Sequence, residues 1–264
     1  MGSGKQVAIK ESRVSRTVKR PSLQQESRIL QLLKGHPAIP ALYGYGHLDH
    51  FEYISMELLG PSIAAQMKDG AGLKVKTVIR IVDQVLAALQ HIHELGIVHR
   101  DVKPENLLCS PDDPSTIKVI DFGMSKPFSR GEPTNLNSHN GLDLSPRDDL
   151  ESLAFVALYL LRGSLPWKPR PRKERLLRTQ EIVRLMKQGC SGPDLSAGLP
   201  KEFGDLLSRS RSMNFHDLPD YNALRRSFAS LELSDGFPKE VGELLPCGHS
   251  RQFHHLLDYT ALGP

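Results

Sequence analysis

Eight consecutive residues, His99-Arg100-Asp101-Val102-Lys103-Pro104-Glu105-Asn106, place an imidazole, a guanidinium, two carboxylates, an ammonium and an amide in one short stretch. Twenty residues beyond Asp101 stands Asp121-Phe122-Gly123, directly after the apolar run Ile117-Lys118-Val119-Ile120. Near the start, Val7-Ala8-Ile9-Lys10 ends in a lysine, and Glu26 follows Lys10 by 16 residues. A carboxylate beside a hydroxyl can take its proton. A carboxylate and an amide oxygen suit a hard cation such as Mg²⁺. Lysines offset the charge of phosphate. These residue types fit phosphoryl transfer, in which the migrating group carries dispersed negative charge and catalysis is mainly positioning and charge stabilisation.

In order and spacing, the four segments resemble the protein-kinase signature. Any one tripeptide would mean little. The eight-residue block with a correctly placed Asp-Phe-Gly leaves very little room for chance. The resemblance implies that Asp101 orients a substrate hydroxyl and accepts its proton, and that Lys103 reaches the γ-phosphate. It implies Asn106 and Asp121 as Mg²⁺ ligands, and Lys10 as the grip on the α/β-phosphates, held by an ion pair with Glu26. By the same resemblance, a lysine two residues after Asp101 implies Ser or Thr rather than Tyr as acceptor.

The elements that must position these residues are legible as periodicity. Gln6 to Lys10 is a short β-type run. Ser22 to Lys34 is helical, with Leu23, Leu30 and Leu33 on one face, Arg28 roughly opposite, and Gly35 and Pro37 closing it. Ala41–Tyr45 and Phe51–Met56 read as short strands, the second alternating as a half-buried strand does. After Gly60-Pro61 helices take over. Lys76 to Glu94 repeats Val78, Ile81, Val82, Val85, Leu89 and Ile92 at helical spacing and stops at Gly96; this stripe reads as core packing. Asp149 to Leu161 is an apolar helix ended by Gly163, and further helices are expected near Leu176–Gln188, Lys201–Ser210 and Tyr221–Ser230. The expected fold class is α+β: a bilobal, kinase-like fold with a truncated strand-rich N-lobe (1–57), a mainly helical C-lobe (58–230) and a weakly patterned tail (231–264). A crevice between two lobes is a common ligand site.

Other stretches resemble the casein kinase I family: the hinge Met56-Glu57-Leu58-Leu59-Gly60-Pro61-Ser62, the run Arg147-Asp148-Asp149-Leu150-Glu151-Ser152-Leu153, Leu161-Arg162-Gly163-Ser164-Leu165-Pro166-Trp167, and Pro219-Asp220-Tyr221 with Leu224-Arg225. The resemblance runs from residue 6 to residue 230. It implies ATP as donor, Mg²⁺, and Ser or Thr in acidic or pre-phosphorylated proteins as acceptor. In that fold Glu57 and Leu59 would offer backbone groups to adenine, while Ala8, Met56, Leu108 and Ile120 would line its pocket. Asp149 would brace the catalytic loop from the base of the long buried helix.

Two stretches depart from the family pattern. Nine residues precede Lys10, and Gly2-Ser3-Gly4 lacks the third glycine and the valine of G-x-G-x-x-G-x-V. It is no P-loop either, because Gln6 stands where Ser or Thr is required. From Gly123 to Arg147 only 23 residues intervene. Asn137-Ser138-His139-Asn140-Gly141 resembles the family stretch after the substrate-docking loop, but the docking run Gly-Thr-Ala-Arg-Tyr has no counterpart. Two expectations follow: an ATP-dependent Ser/Thr kinase weakened by the missing loops, or a catalytically silent kinase-like module that binds a protein partner.

Composition narrows the rest. With 264 residues, 39% hydrophobic and 24% charged, a packed core can form. Lys plus Arg is 34 against 30 for Asp plus Glu, a balance of +4, so no nucleic-acid partner is expected. Cys109, Cys190 and Cys247 are far apart, which fits neither a disulfide framework nor a zinc ribbon and favours a reducing compartment, cytoplasm or nucleus. The longest apolar run, Leu153 to Leu161, is about half a bilayer span, so no membrane segment is expected. The N-terminal residues have neither the shape of a signal peptide nor a myristoylation pattern. A monomer is expected. The basic run Lys168, Arg170, Arg172, Lys173, Arg175 and Arg178 reads as a solvated loop, or else a nuclear-localisation or phosphate-reading patch. Cys247, His249, His254 and His255 match no zinc spacing.

Overall fold

Lys10 lies in a three-stranded antiparallel sheet ordered β1-β3-β2, formed by β1 (Val7–Arg13), β2 (Leu42–Leu48) and β3 (Phe51–Glu57). The structure is a computed structural model that describes residues 6–13, 23–67, 71–128, 144–167 and 180–233, without the side chains of 180–182. Every second side chain of β1 points inward, so Ala8, Lys10 and Ser12 share a half-buried face. Register sets Lys10 opposite Ile54 and Ser12 opposite Glu52. In the other ladder Gly46 faces Tyr53, and a Cβ at Gly46 would fall 2.3 Å from the tyrosine ring. The ring therefore lies over the glycine and replaces the side chain it lacks.

Helix α1 (Leu23–Leu32) packs on the inner sheet face through Leu23, Ile29 and Leu30, with Ile54 fully buried beneath. Gly35, at φ 106°, lets the chain turn away where most residues would be strained. Below the sheet come short paired strands: β5 (Leu107–Cys109) with β6 (Ile117–Val119), and β4 (Ile97–Val98) with β7 (Lys126–Pro127). Only β6 stands out in the sequence, because two or three residues carry no period. The same brevity hides α2 (Ile63–Gln66) and α6 (Gly192–Leu195).

Helix α3 (Val75–Glu94) is the axis of the helical part, with Val78, Val82, Val85, Leu89 and Ile92 fully buried. Helix α4 (Pro146–Arg162) starts three residues before the expected Asp149. The carboxylate of Asp148 accepts the Ser145 N–H at 2.7 Å and its hydroxyl at 3.2 Å, and Pro146 fits the first helical turn, where its missing N–H costs nothing. Gly163 ends the helix at φ 71°. Helices α5 (Gln180–Gly189), α7 (Lys201–Ser212) and α8 (Tyr221–Leu233) complete the helical part. Arg225 of α8 forks onto Asp83 of α3 at 2.7 and 3.0 Å. One apolar cluster runs from Leu23 of α1 to Phe228 of α8.

The architecture is the expected α+β arrangement, a strand-containing N-terminal region and a helical C-terminal region. Gly2 to Lys5, Asn137 to Gly141, the basic run from Lys168 to Arg178, and the group Cys247, His249, His254 and His255 lie outside the described residues, as does the tail beyond Leu233. Among the described residues no helix is long and apolar enough to cross a membrane.

Candidate active site

The loop from His99 to Asn106 leaves β4 and passes over the first turn of α4, where Asp149 is buried. Asp149 accepts the backbone N–H of His99 at 2.7 Å and of Arg100 at 2.8 Å, and the His93 Nε2–H at 2.8 Å. Burial pushes its carboxyl upward, but the hydrogen bond from His93 and its other partners outweigh burial and hold it below the usual range. His93 in turn takes the hydroxyl hydrogen of Tyr221 on Nδ1. Burial, aided by Asp149, drives the Tyr221 hydroxyl far above its ordinary range, so it stays a donor. Helices α3, α4 and α8 thus meet under the loop.

His99 ties this loop to the segment of Asp121. Its Nδ1 accepts the Asp101 N–H at 3.2 Å and its Nε2–H donates to the Ile120 carbonyl at 3.1 Å. Its ring meets buried Phe122 edge to face at 5.0 Å. Two further bonds close the seam: Ile120 N–H to the Asn106 carbonyl at 3.0 Å, and the Ser125 hydroxyl to the His99 carbonyl at 3.1 Å.

Two clusters of polar side chains result. In the first, Asp101 Oδ2 accepts Lys103 Nζ at 2.7 Å and Asn106 Nδ2 at 2.9 Å; the same Nδ2 reaches the Asp101 carbonyl at 2.9 Å. That orientation commits the amide nitrogen of Asn106, not its oxygen, to Asp101. In the second, Lys10 Nζ lies 2.8 Å from Asp121 Oδ1 and 3.0 and 2.8 Å from the two oxygens of buried Glu26. Asp121 sits at φ 68°, a left-handed backbone that turns its carboxylate toward Lys10. A Cβ on Gly123 would come within 3.3 Å of that carboxylate and 3.4 Å of Glu26, so glycine leaves room for the cluster.

Electrostatics follow the contacts. Burial pulls the Lys10 ammonium down, but Glu26 and Asp121 together outweigh it and hold it above the ordinary lysine range. Burial also pushes Asp121 up, and Lys10 more than reverses this, keeping it ionised. For Glu26 burial wins over Lys10 and lifts the carboxyl above its usual value. Among the described residues no group of three or more His, Cys, Asp and Glu is placed to hold a metal. One carboxylate (Asp121) and one amide oxygen (Asn106) instead fit Mg²⁺, which binds through one or two carboxylates plus substrate phosphates rather than in an all-protein cage.

The apolar candidates come from the three-stranded sheet and from the β5–β6 pair. Ala8 and Met56 are register partners in the sheet, Leu108 sits in β5, and Ile120 follows β6; all four are half-buried. The N–H of Glu57 is taken by the Ala41 carbonyl at 2.8 Å, and its carboxylate accepts Ala41 N–H and Lys118 Nζ, each at 3.0 Å. The backbone N–H and the carboxylate of Glu57 are therefore both engaged within the protein. The chain around Leu59 is stitched to β5 by Gly60 N–H on the Cys109 carbonyl at 2.9 Å and Cys109 N–H on the Pro61 carbonyl at 3.1 Å.

The sequence alone assigns no role to the side chains of Glu52, His93, Tyr221 and Lys118. Two had a visible signal. Glu52 alternates with Ile54 and Met56 on the inward face of β3, and His93 ends the apolar stripe of α3 one residue after Ile92. A polar group on a buried face must have a partner, so that stripe is core packing plus one hydrogen-bonded histidine that links Tyr221 to Asp149.

A family model described as protein kinase domain matches residues 1–217.

Proposed function

We propose that this chain, which belongs to the protein kinase family, is an ATP-dependent Ser/Thr protein kinase of casein kinase I type. The observation that carries this reading is the meeting of two polar clusters, Lys10–Glu26–Asp121 and Asp101–Lys103–Asn106, across a seam stitched by His99 and Asn106. Asp101 accepts the proton of a protein Ser or Thr hydroxyl as the new O–P bond forms and the bond from the γ-phosphorus to the β–γ bridging oxygen breaks, with ADP leaving. Lys103 offsets charge on the γ-phosphate. Lys10 binds the α/β-phosphates and Glu26 orients its ammonium. Asn106 and Asp121 would hold Mg²⁺, which when bound neutralises charge on the phosphate oxygens. Ala8, Met56, Leu108 and Ile120 would enclose adenine, with backbone groups of Glu57 and Leu59 on its edge. The hinge and the block around Asp149 support the casein kinase I type, and with it acidic or pre-phosphorylated acceptors.

The test is incorporation of labelled phosphate from ATP into casein, with Asp101→Asn as control. Transfer by the native chain and its loss in Asp101→Asn are expected; equal incorporation by the two removes Asp101 as the base. A rise in melting temperature with Mg·ATP and no transfer would leave a nucleotide-binding scaffold instead.

A further inference from the structure

We propose that Glu52 is a positioning residue that sets the height and rotation of α1 on the sheet, and so delivers Glu26 to Lys10. Its kinetic consequence rests on the kinase reading above. The first N–H groups of a helix have no partner inside it, and its N-terminus carries partial positive charge. Caps normally come from the residue just before the helix. Here the acceptor comes from another element, 29 residues away: Glu52 takes the Leu23 N–H at 2.8 Å on Oε1 and the Gln24 N–H at 3.3 Å on Oε2. Tyr45 O–H reaches Oε2 at 3.4 Å from the neighbouring strand. Glu52 is 7% exposed, so its carboxylate does this in a site with little water to compete.

The geometry couples this cap to the ion pair. Glu26 follows Leu23 by three residues, hence one turn along the same buried face of α1. On the sheet, Glu52 faces Ser12 and Ile54 faces Lys10, so both anchor points rise from adjacent cross-strand pairs on the inner face. The helix is held at two places, its first amides on Glu52 and its Glu26 carboxylate on Lys10. One attachment alone would let the first turn, which contains Glu26, rotate or fray. Both together admit one placement.

The experiment reads Lys10 directly and needs no phosphate transfer. Glu52→Ala, Glu52→Gln, Glu26→Gln and the native chain are pulsed with acetic anhydride. Acetylation of Lys10 is measured by mass spectrometry against the exposed Lys201 in the same sample, with melting curves alongside. A lysine released from a carboxylate partner presents its amine to the reagent more often and acetylates faster. Glu52→Ala is expected to raise Lys10 acetylation about fivefold, the equilibrium change that loss of an ordinary helix cap brings. Glu26→Gln should do the same. Glu52→Gln keeps one acceptor oxygen and should fall between, which rescues the inference should Glu52→Ala not fold. Unchanged Lys10 acetylation in a folded Glu52 variant overturns it. The kinetic arm is a rise in the KM for ATP with an unchanged KM for the protein acceptor; equal changes in both also overturn it. Should the native chain transfer no phosphate, the kinase reading fails while the labelling still decides Glu52.

Discussion

Asp149 accepts the backbone N–H of Arg100 at 2.8 Å while Arg100 is held at φ 73°. A left-handed arginine costs on the order of 1–3 kcal/mol and persists only where its surroundings fix it. The fixing group is a buried carboxylate with three donors, on a helix 49 residues away. Asp149→Asn replaces one acceptor oxygen by a donor that must face an N–H. Breaking a buried charged network by changing one partner costs about 3–5 kcal/mol. Urea unfolding of Asp149→Asn should show a loss of that size; a loss under about 1 kcal/mol would mean that the loop is held by something else.

Tyr221→Phe keeps the ring and removes only the hydroxyl that His93 accepts. Burying an acceptor without its donor costs about 1–3 kcal/mol. The variant should therefore be measurably less stable in urea. In a double-mutant cycle with Asp149→Asn the two losses should fall short of additive, because both act through His93. Strict additivity would show that the three residues do not act as one network.

The stability of the fold should fall as acid rises through the histidine range. Burial lowers the His99 pKa below its ordinary 6.5, and His36, stacked on His91 at 4.8 Å, is lowered by partial burial and by His91. Unfolded, both take up a proton near 6.5; folded, they stay neutral to lower pH. In that window the unfolded chain binds more protons, so the folding free energy declines as pH drops, by up to about 1.4 kcal/mol per pH unit for buried His99 and by less for the partly exposed, water-screened His36. Asp149 acts elsewhere: its depressed carboxyl contributes stability above the ordinary 3.8 and loses it only as pH falls through the still lower folded value. Urea midpoints at pH ~7.5, ~6.5 and ~5.5 should step downward, and His36→Gln should remove part of the slope. Constant midpoints would contradict the burial of neutral His99.

Lys10→Met removes the cation between Glu26 and Asp121 and leaves a buried carboxylate facing another acid. Loss of a positioned electrostatic group costs on the order of 10²–10³ in rate. The expected result is a fall of that order in kcat/KM for ATP in the casein assay. A variant with native kinetics would place the nucleotide elsewhere.

Much of this arrangement is legible in the sequence. Asp101, Lys103, Asn106 and Asp121 stand in two short, densely polar stretches that the structure brings to either side of one seam, and α3 and α4 declare themselves by period. Legibility failed where a contact joins distant elements through atoms that leave no pattern. The cap of Glu52 on Leu23 and Gln24 uses backbone N–H groups, which every residue has. The link from Tyr221 to Asp149 passes through a histidine at the edge of an apolar stripe. Strands of two or three residues, such as β4 and β7, exist only because the loops around His99 and Asp121 bring them together.

The tyrosine ring lying over Gly46 has a spectroscopic consequence. Protons above an aromatic face are shielded by its ring current, so one α-proton of Gly46 should resonate well upfield of ordinary glycines. Because a slip of one residue between β2 and β3 would carry Tyr53 to the opposite side of the sheet, that single resonance reports strand alignment in solution without any ligand or assay.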